Sequence, residues 1–288
     1  MTFWDNIRYK ITASQSKLFL LICINIVVFL VINVPGTIES WFNRTEYIAV
    51  YANEYLSLPS NLHRLLIRFW TPFTYMFMHA GVFHILFNML WLYWFGQIFE
   101  EFLGKKRTIG LYLLGGLAGG ILFVIAFNLL PLFSYVKQVS HVVGASASVM
   151  AIVVAAATIA PNYTINLMLI GPVKIKWIAL FYVAVDFLST TGPNAGGQIA
   201  HLGGALIGFM YVKQLQRGND WIAGIVNIFK PKPKLKVVST NREKNPALKP
   251  RQEEIDAILD KISQNGYDSL NKHEKEILFR ASKHEEEI

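Results

Sequence analysis

Trp70–Asn88 reads WTPFTYMFMHAGVFHILFN, a polar and aromatic lead-in that turns into an apolar run lasting to about residue 103. Apolar stretches of about 17 to 25 residues can cross the hydrocarbon core of a bilayer as helices. Working outward from this one, five more appear, over about 17–35 before it and 108–132, 145–161, 175–190 and 197–215 after it. Composition points the same way. Of 288 residues, 53% are hydrophobic and only 16% charged, against roughly 25% in soluble domains, and the mean hydropathy is +0.37. The expectation is an all-α membrane protein with six transmembrane helices.

The positive-inside rule orients these spans. Arg8, Lys10 and Lys17 precede the first span, Lys105, Lys106 and Arg107 separate the second from the third, Lys174 and Lys176 fall between the fourth and fifth, and Lys213 and Arg217 close the sixth. The third-to-fourth connection has only Lys137, and Ser189–Gln198 carries no charge. Both termini are therefore expected on the cytoplasmic side of a cell (inner) membrane. The segment before the first span, Met1–Lys17, is polar and mildly basic, and no small-x-small site closes the apolar run at Val34-Pro35-Gly36. A retained span rather than a cleaved signal peptide is expected. A connection of about 47 residues separates the first two spans; such loops are seldom structureless, and Trp41, Tyr47, Tyr51, Tyr55 and Trp70 suit a membrane interface. The one cysteine, Cys23, has no partner for an intrachain disulfide.

With this topology the second, fourth and sixth spans all enter from the outer face, and their first turns carry the polar residues. Ser146 lies in Gly144-Ala145-Ser146-Ala147, His201 in Ala200-His201-Leu202-Gly203-Gly204, and His79, His84 and Asn88 at the start of the second span. His84 and Asn88, four apart, share a helix face. A serine nucleophile needs a base, and a neutral histidine can serve. A tetrahedral intermediate needs donors at its oxyanion, and the Ser146 N–H at a helix N-terminus, His84 and Asn88 are the candidates. Each residue alone has a plainer explanation. Serines in membrane helices usually bond their own backbone or a neighbouring helix, and a lone histidine usually packs. No His-Glu-x-x-His occurs, so no metal is expected, and no cofactor is needed. Asp186 is the one aspartate within a span, which excludes a two-aspartate protease and suits a structural hydrogen-bonding residue.

The conjunction resembles the rhomboid family of intramembrane serine proteases over roughly residues 1–217. A Trp before the span, then His-x4-His-x3-Asn, Gly-x-Ser at Gly144–Ser146, and Ala200-His201 with Gly204 and Gly208 match in order, spacing and side. The resemblance implies a six-helix rhomboid fold and a Ser-His dyad cleaving membrane proteins within or beside a transmembrane helix. By position it makes Ser146 the nucleophile and His201 the base, with His84 and Asn88 assisting the oxyanion and His79 bordering the site. Two departures stand out: Ala147 where many members have Gly, and Met150 where many have an aromatic that stacks on the histidine.

Small-x3-small pairs (Gly115 with Gly119, Gly116 with Gly120, Gly204 with Gly208, and Ala147-Ala151-Ala155) are expected to let the third, fourth and sixth spans approach closely. Residues 1–217 thus form the expected core. Residues 218–250 form a basic Pro/Lys-rich linker suited to anionic lipids. Residues 251–288 form a cytoplasmic helical hairpin, with Ile255, Ile258, Leu259 and Ile262 on one face and a capping box at Asn271–Glu274. The hairpin fits a docking module for an unidentified partner and equally a solubilising tail. Expected partners of the core are transmembrane protein substrates and the lipid bilayer, with no nucleic acid. A catalytically inactive relative that binds or escorts transmembrane helices is the main rival. A channel or transporter is the second, and the nearly uniform apolar run Val149–Ala160 speaks against it.

Overall fold

The computed structural model describes residues 17–43, 46–167, 170–223 and 252–285. Two compact units are present, residues 1–230 and 231–288. The first is mostly helical. Helix α1 (Lys17–Asn43) is followed by a long connection holding α2 (Tyr47–Leu56), strand β1 (Leu58–Pro59), α3 (Leu62–Ile67) and α4 (Thr71–Thr74). Then come α5 (Val82–Leu103), α6 (Thr108–Leu129), strand β2 (His141–Val142), α7 (Ser146–Ile159), the pair β3 (Thr164–Leu167) and β4 (Gly171–Lys174), α8 (Ile175–Leu188) and α9 (Ala195–Gln216). By length and composition, three stretches among the described residues could cross a membrane: Lys17–Phe42, Val82–Leu103 and Lys105–Leu129. These helices, like α8 and α9, carry exposed apolar side chains: Val31, Leu86 and Ile121 stand exposed on the three, Phe181 on α8 and Leu206 on α9, the reverse of a soluble bundle.

Two local outcomes differ from expectation. The first apolar run should end at Val34-Pro35-Gly36, because proline lacks an amide donor and crowds the preceding turn. Instead α1 continues through Pro35 to Asn43. Side chains reinforce it there: Asn33 Nδ2, Thr37 Oγ1 and Ser40 Oγ donate to the carbonyls of Phe29, Asn33 and Gly36, one turn back, at 2.9, 2.8 and 3.0 Å. Such bonds re-satisfy a helix at a proline. The connection carrying Lys174 is also more than a loop. β3 and β4 form an antiparallel hairpin with Thr164 opposite Lys174 and Leu167 opposite Gly171. Four residues of alternating exposure are too few for the two-residue period to announce itself.

The core sits where α7 is clasped by α6 and α9. Lipid tails are as apolar as leucine, so membrane helices gain from van der Waals fit rather than from exclusion of water. Here the fit is between backbones. A Cβ placed on Gly204 of α9 would lie 2.0 Å from the carbonyl oxygen of Ala147, and one on Gly208 would lie 2.2 Å from that of Ala151. On the other side of α7, Gly115 and Gly119 of α6 leave room for the Cβ atoms of Ala151 and Ala147.

The long connection folds back and grips the loop before α7. β1 pairs with β2, Leu58 opposite Val142. Buried Tyr75 bonds through its hydroxyl to Gly116 O, and the Tyr112 hydroxyl donates to Met76 O at 2.7 Å. The Gly144 N–H then donates to Tyr75 O at 2.9 Å. The start of α7 is thus pinned to α6 through buried tyrosines. Where the chain leaves α9, Arg107 pairs with Asp220 at 2.8 Å, and the Tyr211 hydroxyl donates to the other Asp220 oxygen at 3.2 Å.

The second unit contains α10 (Gln252–Asn265) and α11 (Lys272–Glu285). Asn271 Oδ1 accepts from the Glu274 N–H at 2.9 Å, and Glu274 Oε2 accepts from the Asn271 N–H at 2.8 Å, a reciprocal cap. Lys261 Nζ reaches the same carboxylate at 2.8 Å and ties the helices together over buried Ile258 and Leu270. The proline- and lysine-rich linker lies outside the described residues from residue 224 onward.

Candidate active site

Ser146 is the first residue of α7. It follows Gly144, whose φ of +136° is a backbone state that L side chains avoid. The same glycine opens space. A Cβ there would stand 3.0 Å from His84 Nε2 and 3.3 Å from Ser146 Oγ, so its absence lets the imidazole come up beside the hydroxyl. His84 is one turn into α5, and its Nδ1 accepts from the Ala80 N–H at 3.3 Å. An imidazole that accepts at Nδ1 carries its proton on Nε2. The edge His84 turns toward Gly144 and Ser146 is therefore a donor.

Asn88 follows one turn later and is buried. Its amide donates to His84 O at 2.8 Å, which spends one N–H and leaves the other. His201 stands in the second turn of α9. Its Nδ1 lies 3.0 Å from Oδ1 of Asp186, in the last turn of α8. A carboxylate only accepts, so with Asp186 ionised a neutral His201 would hold its proton on Nδ1 and a lone pair on Nε2. The carboxylate is buried, and its Oδ2 has no hydrogen-bond partner among the described residues.

Ser146, His201, Asn88 and Asp186 line one cavity of about 400 Å³ whose other walls are Phe87, Trp91, Val149, Met150, Val153 and Tyr182. Chemically it offers a hydroxyl, an imidazole, an amide and a carboxylate among mostly apolar and aromatic walls. No direct hydrogen bond joins Ser146 to His201 among the described residues; they share the chamber. Two of its walls meet where Trp91 of α5 packs against Tyr182 of α8, ring centroids 4.4 Å apart.

His79 is not on this wall. It lies behind His84, their ring centroids 5.2 Å apart, beside a smaller cavity lined with Asn33, Phe77 and Met78. Both its ring nitrogens lack hydrogen-bond partners among the described residues. Burial, then the neighbouring His84, pushes its pKa down to about 4. Gly204 and Gly208 carry no group into the chamber and act through the α7–α9 contact described above. The partnership of Asp186 with His201 is what reading the sequence missed. The signal available was an ionisable residue inside an apolar span, which by default calls for a named partner.

The Rhomboid domain family model matches residues 67–217, from the lead-in of α4 to the end of α9. A second match, to a Family of unknown function (DUF6576), covers residues 240–284 and so takes in α10 and most of α11. RHOMBOID-like protein 12, mitochondrial, of Arabidopsis thaliana is 29% identical over 160 residues, which is 52% of this chain and 48% of that protein. RHOMBOID-like protein 1 of the same plant is 30% identical over 158 residues, 52% of this chain and 36% of that protein. The chain spans less than half the length of these curated relatives. The family match nevertheless covers more than half of this chain and every element that lines the Ser146 cavity. With its apolar helices, it makes the chain a multi-pass membrane protein of the rhomboid family.

Proposed function

We propose that the chain is an intramembrane serine endopeptidase that cuts transmembrane proteins within or near the outer end of a membrane helix. The observation that carries this reading is the shared cavity: a helix-initiating serine and a histidine with a free Nε2 lone pair line one chamber, with amide and imidazole donors beside the serine. In the reaction, His201 Nε2 takes the Ser146 proton as Oγ attacks the scissile carbonyl. The new oxyanion receives the Ser146 N–H, which as the first of α7 has no carbonyl within the helix to serve, together with His84 Nε2–H and the spare Asn88 N–H. The imidazolium returns its proton to the leaving amine. Water, activated by the same imidazole, then releases the acyl group.

Six helices, α1 and α5 to α9, would cross the membrane, with both termini cytoplasmic by the basic residues between the spans. α7, at 14 residues, is about 21 Å long, shorter than the roughly 30 Å hydrocarbon core. Its serine would therefore stand below the outer surface, and water would reach it through the chamber. A peptide bond inside a helix is sterically closed, so the substrate must unwind locally. The apolar walls suit a large apolar side chain next to the cut. Residues 218–250 would meet anionic lipid on the cytoplasmic side, and the capped hairpin would form a separate module.

A fluorophosphonate probe tests the reading on the full chain in lipid nanodiscs. Covalent labelling of Ser146, absent from Ser146→Ala and from His201→Ala, is the expected result. A folded wild-type chain that takes no label would instead be an inactive binder of transmembrane helices. Asn88→Ala should slow cleavage by about 10²–10³, the usual cost of one oxyanion donor; an unchanged rate removes it from the mechanism.

A further inference from the structure

We propose that Asp186 is a positioning residue for the reaction: its carboxylate holds His201 by Nδ1, fixes the tautomer, and stabilises the imidazolium formed when the serine gives up its proton. This rests on the Ser146–His201 reading and extends it from two residues to three. Asp186 occupies the last turn of α8, and its own carbonyl accepts from the Ser189 N–H that ends the helix. The C-terminal end of a helix carries partial negative charge, which repels a carboxylate. Asp186 is also only 8% exposed, and burial penalises the ion further.

A carboxylate retained against both effects needs a return. Oδ1 is used on His201 Nδ1 at 3.0 Å, and Oδ2 has no partner among the described residues. One hydrogen bond to a neutral ring is a modest return. A bond to an imidazolium is worth considerably more, and it exists only after proton transfer. The arrangement is complementary to the charged intermediate rather than to the resting site, which is what lowers a barrier.

The rest of the surroundings leaves this task to Asp186. The groups facing His201 are Tyr182 and Asp186 from α8, Ser146 and Met150 from α7, and His84 and Asn88 from α5. On the α6 side, Gly119 lies against the backbone of Ala200. Met150, one turn after Ser146, is a flexible thioether with no plane to hold the ring. Asp186 is the one carboxylate in this set. Its role is electrostatic and orienting: the Nδ1 proton stays on the ring, and the transferred proton resides on Nε2.

Second-order labelling of Ser146 by the fluorophosphonate, measured from pH 5 to 9 on the full chain in nanodiscs, reads this directly. Asp186→Asn should slow labelling per folded molecule by about 10²-fold or more, since an amide permits the wrong tautomer. Asp186→Glu should recover part of the rate. An unchanged rate in folded Asp186→Asn overturns the proposal while leaving the dyad intact. No labelling of the wild type overturns the dyad and this extension together. Should the variants fail to fold, ¹⁵N NMR of the wild type, with His201 assigned by a His201→Gln difference, decides. A proton on Nδ1 is required, and a proton on Nε2 in the neutral ring overturns the proposal.

Discussion

The two walls of the Ser146 cavity are built on opposite plans. On one, α7 meets α9 and α6 through positions where a single methyl group would collide with a carbonyl oxygen or a neighbouring Cβ, at 2.0 Å for Gly204 and 2.4 Å for Gly115. On the other, α5 and α8 face each other through large rings, Trp91 against Tyr182 at 4.4 Å, with Phe87 alongside. Backbone against backbone leaves nothing to adjust, whereas ring against ring leaves side chains that can turn and a volume they can vacate. The reacting groups of the proposed site, Ser146 and His201, belong to the helices of the first wall. Both walls contribute apolar lining, Val149, Met150 and Val153 from the first and Phe87, Trp91 and Tyr182 from the second, but the rings belong to the second. Rigidity is spent where atoms must meet within tenths of an ångström, and adaptability where a variable substrate must fit.

That contrast can be broken in order of expected effect. Gly204→Leu should abolish cleavage and fluorophosphonate labelling altogether, because the clash is with backbone that cannot rotate away; normal turnover by a well-folded variant would refute the rigid wall. Gly144→Ala should leave the helices intact by circular dichroism but lower kcat by about 10²–10³, since it strains a φ of +136° and fills the space His84 uses, costing one oxyanion donor. Trp91→Ala, on the adaptable wall, should keep kcat within about tenfold for a good substrate. It should mainly shift the preferred apolar residue near the cut, by the 10- to 200-fold that one or two methylenes command. A loss as deep as that of Gly144→Ala would mean both walls are rigid. The smallest effect is in stability. His79 has a folded pKa near 4, below its ordinary 6.5, so its contribution is present above about pH 6.5 and lost as pH falls toward 4. A His79→Gln variant should show a flatter decline of Tm between pH 6.5 and 4 with labelling of Ser146 at pH 7.5 nearly unchanged.

Much of the rigid wall is legible from spacing. Gly204 with Gly208, Gly115 with Gly119 and the alanines of α7 fall at helical intervals that name both the contact and its closeness. The starts of α5, α7 and α9 follow from where the apolar runs begin, and the cap at Asn271–Glu274 from two residues three apart. What spacing cannot carry is a contact made across a turn by one side chain. Asp186 and His201 lie 15 positions apart on different helices, and the turn between them decides whether they meet. The continuation of α1 through Pro35 was hidden for a related reason. The donors that support it, Asn33, Thr37 and Ser40, read individually as helix-breaking polar residues. The two-residue strands β1 and β2 are too short to leave any periodic trace.

Those strands carry a last implication. Leu58 and Val142 join a connection on which Tyr47, Tyr51 and Leu66 stand in the open to the segment that leads into Ser146. Whatever amphiphile surrounds those aromatics is therefore coupled to Ser146 through this ladder and the Gly144–Tyr75 bond beside it. Activity would respond to headgroup and detergent identity well before the helical bundle loosened, and inactivation on heating would run ahead of melting.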